Sequence, residues 1–426
     1  MIGRLAHYAV GAVLVRLADE GARVALLLLA AQRTGSASTG GAAVAALLVP
    51  HVVAAPVVGL LTDRASRPRL VVAGAALGFG CALAVTAAGL GRLPLPVVLA
   101  VLVAGGCCGP ALTGGLTSQL SALVPGERLP RAFGLDSLTY NSAGIIGPAA
   151  AAVLAAATSP ALATAALAAG AVTGAALIAV LPIRAHHPSL SLPAAGELLA
   201  GGRILVRNRV LAAVTGATCL GQVGLGALPV IAVVLAQQHQ HPAAAGWLLT
   251  SVAAGGLLGS LAWTWRPAAP EHAATVVMGG LAAAGLPLAV AAVLPAGLQV
   301  TAVLFAVSGF STGPLFGALL MTRQDHAPAA ARTQVFTLGA GAKITATAAG
   351  AAVAGTLAGH TPAALLLLAG SCPVAAGVLG QLSLTAHRRT RCAAADPSTD
   401  LSRSRDALEE PEVNDPLFGT GLCSRH

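Results

Sequence analysis

The sequence predicts an all-α membrane protein of twelve transmembrane helices in two pseudo-symmetric six-helix bundles. Three observations carry that expectation. Hydrophobic residues make up 56% of the 426 and charged residues only 9%, with a mean hydropathy of +0.81; soluble domains carry about a quarter charged residues. Apolar runs long enough to cross a bilayer, about 20 residues each, recur along almost the whole chain. The second half of the chain also repeats the landmarks of the first.

Cutting at polar or Pro/Gly-marked breaks gives spans at 8–31, 42–62, 69–90, 94–120, 132–157, 160–182, 209–236, 243–265, 273–294, 296–321, 332–358 and 361–385. The first run lacks a small-residue cleavage site, so it reads as a retained helix. Residues 1–183 and 209–385 are the expected bundles, and 184–208 the loop joining them. That loop contains His186-His187-Pro188 and a stretch, Ala194–Val206, suited to a short interfacial helix. The polar segment 386–426 cannot bury a core and reads as a disordered tail.

Arginine placement sets the orientation. With both termini cytoplasmic, nineteen of the 24 Lys+Arg fall in cytoplasmic segments and only Arg33 and Arg92 on the other side, the bias that the positive-inside rule requires. The net charge of +9 is therefore a membrane signal, and nucleic acid is excluded as a partner. The cysteines have no zinc-type spacing and read as packing residues or reduced thiols. No nucleophile–base pair, metal cluster or cofactor loop appears, so neither an enzyme nor a bound cofactor or metal is expected. Gly339-Ala-Gly341-Ala-Lys343-Ile resembles a phosphate loop but fails it, because Ala342 stands where Gly is needed and Ile344 where Ser/Thr is needed.

The repeat is read from paired landmarks. Gly59 and Asp63 correspond to Gly259 and Trp263, Gly109-Pro110 to Gly313-Pro314, and Phe133, Leu135, Ser142, Gly147 and Leu154 to Phe336, Leu338, Thr345, Gly350 and Leu357. The offset drifts only from 200 to 204 across neighbouring elements.

Between spans two and three lies Gly59-Leu-Leu-Thr-Asp63-Arg64-Ala-Ser-Arg67-Pro-Arg69. Gly59 allows close helix approach, and Asp63, Arg64 and Arg67 place charge where water begins. This order resembles the loop motif of the major facilitator superfamily, with Ser66 in place of a usual Gly and Pro68 in place of a usual basic residue. The resemblance implies two bundles rocking about a midplane site, and a cytoplasmic gating cluster of Gly59, Asp63, Arg64 and Arg67, with Asp136 added through pairing to Arg131 or the loop arginines. Asn141, Gly144, Gly147 and Pro148 in span five resemble the antiporter motif of drug exporters, although Ala151-Ala152 replace its final glycines.

Charges inside the spans mark the expected site. In span one, Arg16 is spaced to reach Asp19 and Glu20, and Arg23 to reach the same two acids. The functional reading is a proton-accepting carboxylate facing a cavity; the alternative is a self-satisfied polar knot. Lys343, the sole lysine, falls mid-span in span eleven opposite its repeat mate Tyr140, and is expected to tune the acids or to bind an anionic group. Gln119, Tyr140, Asn141, Gln222 and Gln334 are further candidate cavity residues, and Phe305 and Phe310 candidate aromatic walls. The function expected is a proton-coupled transporter, exporting a small molecule as a monomer in a bacterial plasma membrane. An uptake symporter for a small anionic metabolite and a transport-inactive sensor or assembly partner stay open.

Overall fold

The computed structural model describes residues 2–183, 196, 200–241, 244–294, 297–357 and 361–394. His186-His187-Pro188 and residues 395–426 of the expected tail lie outside these. Twelve helices of membrane-crossing length run through the described residues. They are α1 Ile2–Thr34, α2 Ala37–Arg64, α3 Pro68–Gly89, α4 Leu95–Ser118, α5 Leu129–Ala157 and α6 Pro160–Ala179, followed by α7 Arg209–Gln238, α8 Ala244–Trp265, α9 Ala273–Val293, α10 Leu298–His326, α11 Arg332–Thr356 and α12 Pro362–Ala394. Ten are apolar enough throughout to span by composition alone. The exceptions, α1 with its four clustered charges and α11 with Gly, Thr and Lys343, carry polar faces that need somewhere other than lipid to point.

Local chemistry sets the helix ends. Ser36 and Ser159 cap α2 and α6 by accepting from Thr39 and Leu162 N–H, and Asn208 caps α7 by accepting from Val210 and Leu211 N–H. Pro68 and Pro160 occupy first-turn positions of α3 and α6, where a missing N–H costs nothing. Pro110 ends the regular part of α4, and the chain continues through a π-helical turn over Ala111–Gly115. The interior of α7 is broken at Gly226-Ala227, between Arg209–Leu225 and Leu228–Gln238. The last helix continues to Ala394, past the expected end at 385.

Packing repeats between the halves. In the first half α1 packs on α5, α2 on α4, and α3 on α4; in the second, α7 packs on α11, α8 on α10, and α9 on α10. The halves meet through α2 against α11 and α5 against α8, two contacts that exchange under the same repeat. Both are dense at one side of the molecule, here called the Asp63 side, where even-numbered helices end and odd-numbered ones begin. There the short helix Ala200–Arg207 also docks, its Gly201 N–H donating to Gln334 Oε1 at 2.8 Å. It occupies the second part of the expected interfacial segment.

Candidate functional site

A cavity of about 450 Å³ lies between the halves, lined by α1, α2, α4, α5, α7, α10 and α11. Asp19, Glu20 and Arg23 face it from α1, and Tyr140 from α5; Arg323 and Lys343 face it from α10 and α11. The sequence therefore brings its span-one acids and its lysine to one chamber.

Within that chamber Arg23 serves both acids, at 2.8 Å from Glu20 and 3.6 Å from Asp19. Lys343 Nζ sits 4.4 Å from the centre of the Phe316 ring, a cation–π contact. Tyr140 packs edge-on to Phe316 at 5.1 Å. The aromatic walls are thus Phe316 and Phe336, not Phe305 and Phe310. Phe305 is fully buried in a helix-packing cluster of the second half, and Phe310 is exposed on the outer surface. Among the cavity candidates, Tyr140 and Gln222 line the chamber. Asn141 instead joins α5 to α8 through Ser260 Oγ at 2.8 Å.

Arg16 does not pair with Asp19 or Glu20. Its guanidinium reaches Asp136 Oδ1 at 2.7 Å, donates to Thr117 and Thr139, and lies 3.6 Å over the Tyr140 ring. Asp136 also accepts from Tyr8 O–H at 2.6 Å and from Thr117 O–H at 2.8 Å. Arg16 is 2% exposed and Asp136 fully buried. This corrects the placing of Asp136 in the cytoplasmic gating cluster beside Arg131. Because α5 begins at Leu129, Asp136 lies about two turns inside the helix, too deep for a loop arginine. A buried carboxylate needs a charged partner at hand, and Arg16 is the one that α1 presents.

On the Asp63 side the two halves are in contact. Asp63 accepts from Thr333 N–H at 2.9 Å and Gln334 N–H at 3.1 Å, so the carboxylate caps the N-terminus of α11 across the interface between the halves. Gly59 makes that approach possible: a Cβ there would come within 2.6 Å of Gln334 Cα. Ser118 and Thr333 hydroxyls meet at 3.0 Å, and Arg332 donates to Ser121 at 3.2 Å. At the repeat-related contact, Trp263 Nε1 donates to Pro130 O at 3.2 Å. Asp63 and its repeat mate Trp263 thus each hold the start of a helix in the opposite half. Arg64 and Arg67 are exposed on the turn.

The two glycines of the antiporter-like motif differ. A Cβ on Gly147 would meet Leu17 O at 2.9 Å and Gly21 N at 3.0 Å, whereas one on Gly144 would meet nothing within 4 Å. Gly147→Val is expected to lower the thermal midpoint in detergent, with an overpacking cost of about 1–3 kcal/mol, while Gly144→Val leaves it near wild type. Equal midpoints for the two variants would contradict this packing. Pro148 lies inside α5.

One charged cavity residue was missed. Span ten was expected to end at 321, leaving Arg323 in a cytoplasmic loop, but α10 runs to His326 and Arg323 is 2% exposed inside the molecule. The repeat held the signal: an offset of 204 sets Arg323 against Gln119, inside span four. Among the described residues no group of three His, Cys, Asp or Glu side chains is placed to hold a metal ion.

The family model of the Major Facilitator Superfamily matches residues 8–351. The chain belongs to the major facilitator superfamily. It is a multi-pass membrane transporter, as members of that superfamily are. The chain is 30% identical over 326 residues to the multidrug efflux pump Tap of Mycobacterium tuberculosis, covering 71% of this chain and 75% of that protein. It is 26% identical over 323 residues to an uncharacterized MFS-type transporter, y4rN, of Sinorhizobium fredii, covering 74% and 78%. Among solved structures, a bacterial homologue of the iron transporter ferroportin in its outward-facing state aligns with a TM-score of 0.71 at 15% identity, over 90% of this chain and 99% of that one. The E. coli fucose:proton symporter aligns with a TM-score of 0.68 at 15% identity, over 89% and 98%. At these identities the structures support the superfamily fold alone.

Proposed function

We propose that this superfamily member is a proton-coupled secondary transporter that exports a small molecule by alternating access, as a monomer in a bacterial plasma membrane. The observation that carries the reading is the pair Asp19 and Glu20 on a chamber between the halves, with one arginine shared between them and Lys343 in the facing wall. Ionisable groups are placed inside a membrane at a cost that function repays. The Asp63 side is the cytoplasmic one, on the strength of the arginine bias, so the conformation described here is open away from the cytoplasm. Asp63, Gly59 and the start of α11 form the cytoplasmic gate. Export rather than import draws its support from the likeness to an efflux pump. A second reading, an uptake symporter for a small anion, is favoured by the cations Lys343 and Arg323 on the same chamber.

The test is proton flux in proteoliposomes that enclose a pH-sensitive dye, with cationic dyes, antibiotics and organic anions offered in turn. Cargo-triggered proton movement is expected, opposite in sense to the cargo, and lost in Asp19→Asn/Glu20→Gln. Proton movement in the same sense as cargo selects the symporter. Cargo movement without protons, or coupling untouched in the double variant, removes the proton role of these acids.

A further inference from the structure

We infer that the cytoplasmic floor of the chamber is a binding site for an anionic group of the cargo, a carboxylate, sulfonate or phosphate, held by Arg323 and Lys343. The inference rests on the transport reading above and specifies its substrate class. Arg323 is 2% exposed and lines the chamber. No ion pair joins it to an acid among the described residues, and its Nε and Nη2 are buried without a hydrogen-bond partner. The contrast with Arg16 is direct, since that buried arginine has Asp136, Thr117 and Thr139 around it. The other cavity arginine, Arg23, is neutralised by Asp19 and Glu20. Lys343 adds a second cation to the same chamber, held by an aromatic face and, among the described residues, not by a carboxylate within ion-pair distance.

The place is built to hold the guanidinium. A Cβ on Gly339 would fall 2.4 Å from Arg323 Cζ and 2.4 Å from Nη2, so a larger residue at that position of α11 would displace the guanidinium from this place. Burying a cation without a partner is costly. A guanidinium with N–H donors to spare is what a carboxylate or phosphate oxygen pair accepts, and Arg323 presents its own to an anion by turning from Gly339 toward the chamber. The chamber walls around the fork are apolar and aromatic, including Leu320, Phe316 and Phe336. They suit an amphipathic anion better than a small hydrated one. The acids of α1 lie on the other wall, so a cargo carrying an amine at its far end would compete there with protons while its anionic end stays on the floor.

The test is calorimetric binding of naphthalene-2-sulfonate, naphthalene-2-carboxylate and naphthalene-2-carboxamide to the full chain in nanodiscs. We expect both anions to bind about tenfold or more tightly than the amide, as a charge-assisted hydrogen bond provides. That preference disappears in Arg323→Gln, falls in Lys343→Gln and is partly kept in Arg323→Lys. The empty Arg323→Gln protein should melt at a higher temperature than wild type, because an unpaired buried charge has been removed. A structural arginine would give the opposite shift, so a lower midpoint overturns the inference. Equal affinities for anion and amide, an anion preference unchanged in Arg323→Gln, or no binding of any probe at millimolar concentration also overturn it. Measured in phosphatidylcholine and again in phosphatidylglycerol discs, affinity should be the same; a tenfold loss in the latter would assign the floor to a lipid headgroup instead. Proton-coupled transport of a neutral or cationic compound, indifferent to Arg323→Gln, would leave the transport reading standing and remove the anion site alone.

Discussion

Asp136→Ala should destabilise the protein by about 3–5 kcal/mol, the usual result of stripping the partner from a buried ion. The substitution leaves the Arg16 guanidinium fully enclosed between α1, α4 and α5 with only hydroxyls and one backbone carbonyl to accept its protons. It also strands the Tyr8 hydroxyl, whose acceptor is the same carboxylate. Asp136→Asn keeps an acceptor of similar shape and should cost less. Arg16→Met/Asp136→Leu should recover most of the loss, since a buried pair replaced by packed apolar groups is often no less stable. Unfolding in detergent, arranged as a double-mutant cycle, gives the coupling energy directly. Single variants whose effects simply add would mean that Arg16 and Asp136 do not depend on each other.

Asp63→Ala should loosen the contact between the halves on the Asp63 side, the gate proposed above. The carboxylate spans the halves to cap α11, and without it the N–H groups of Thr333 and Gln334, on side chains 2% and 1% exposed, lose their acceptors. Loss of a helix cap costs about 0.5–2 kcal/mol, and the cost falls only on the closed form. The population of the open form should therefore rise about twofold to thirtyfold. Asp63→Asn, which still offers one oxygen, should lie between. A cysteine placed at Ser121, beside this contact, reports the change through its rate of alkylation by a membrane-impermeant maleimide in everted vesicles. An unchanged rate in Asp63→Ala would show that the cap does not hold the gate.

What the sequence made legible follows from the kind of information each feature needs. The helix count and the close helix approach at Gly59 are local: an apolar run, a glycine, a charge at a helix end. The i+3 and i+4 spacing correctly joined Arg23 to Glu20 and Asp19. The same rule failed for Arg16, because a helix periodicity says which neighbours are within reach and nothing of a stronger partner on another helix. Asp136 was misplaced for a related reason. Hydropathy begins a span where apolar residues begin, whereas α5 starts earlier, at Leu129 beside Pro130, and carries the acid inward. Arg323 was lost at the other end of the same approximation, where α10 continues past its apolar run. In both cases a helix outlasts its hydrophobic stretch because its last turns pack on protein and not on lipid.

The distance between the halves on the Asp63 side, followed as a function of pH, reads out whether Asp19 and Glu20 drive the transition. Spin labels at Ser66→Cys and Glu271→Cys, both exposed on turns of the Asp63 side, are followed by double electron–electron resonance in liposomes, with the seven native cysteines replaced. Closing the chamber's outer side buries Asp19 and Glu20, which is less costly once they are neutral. The account therefore predicts a short distance at alkaline pH, matching the closed gate, and a growing long-distance population as pH falls. In Asp19→Asn/Glu20→Gln the two populations should no longer respond to pH. A single distance at every pH, or a pH response that survives neutralisation of both acids, would contradict it.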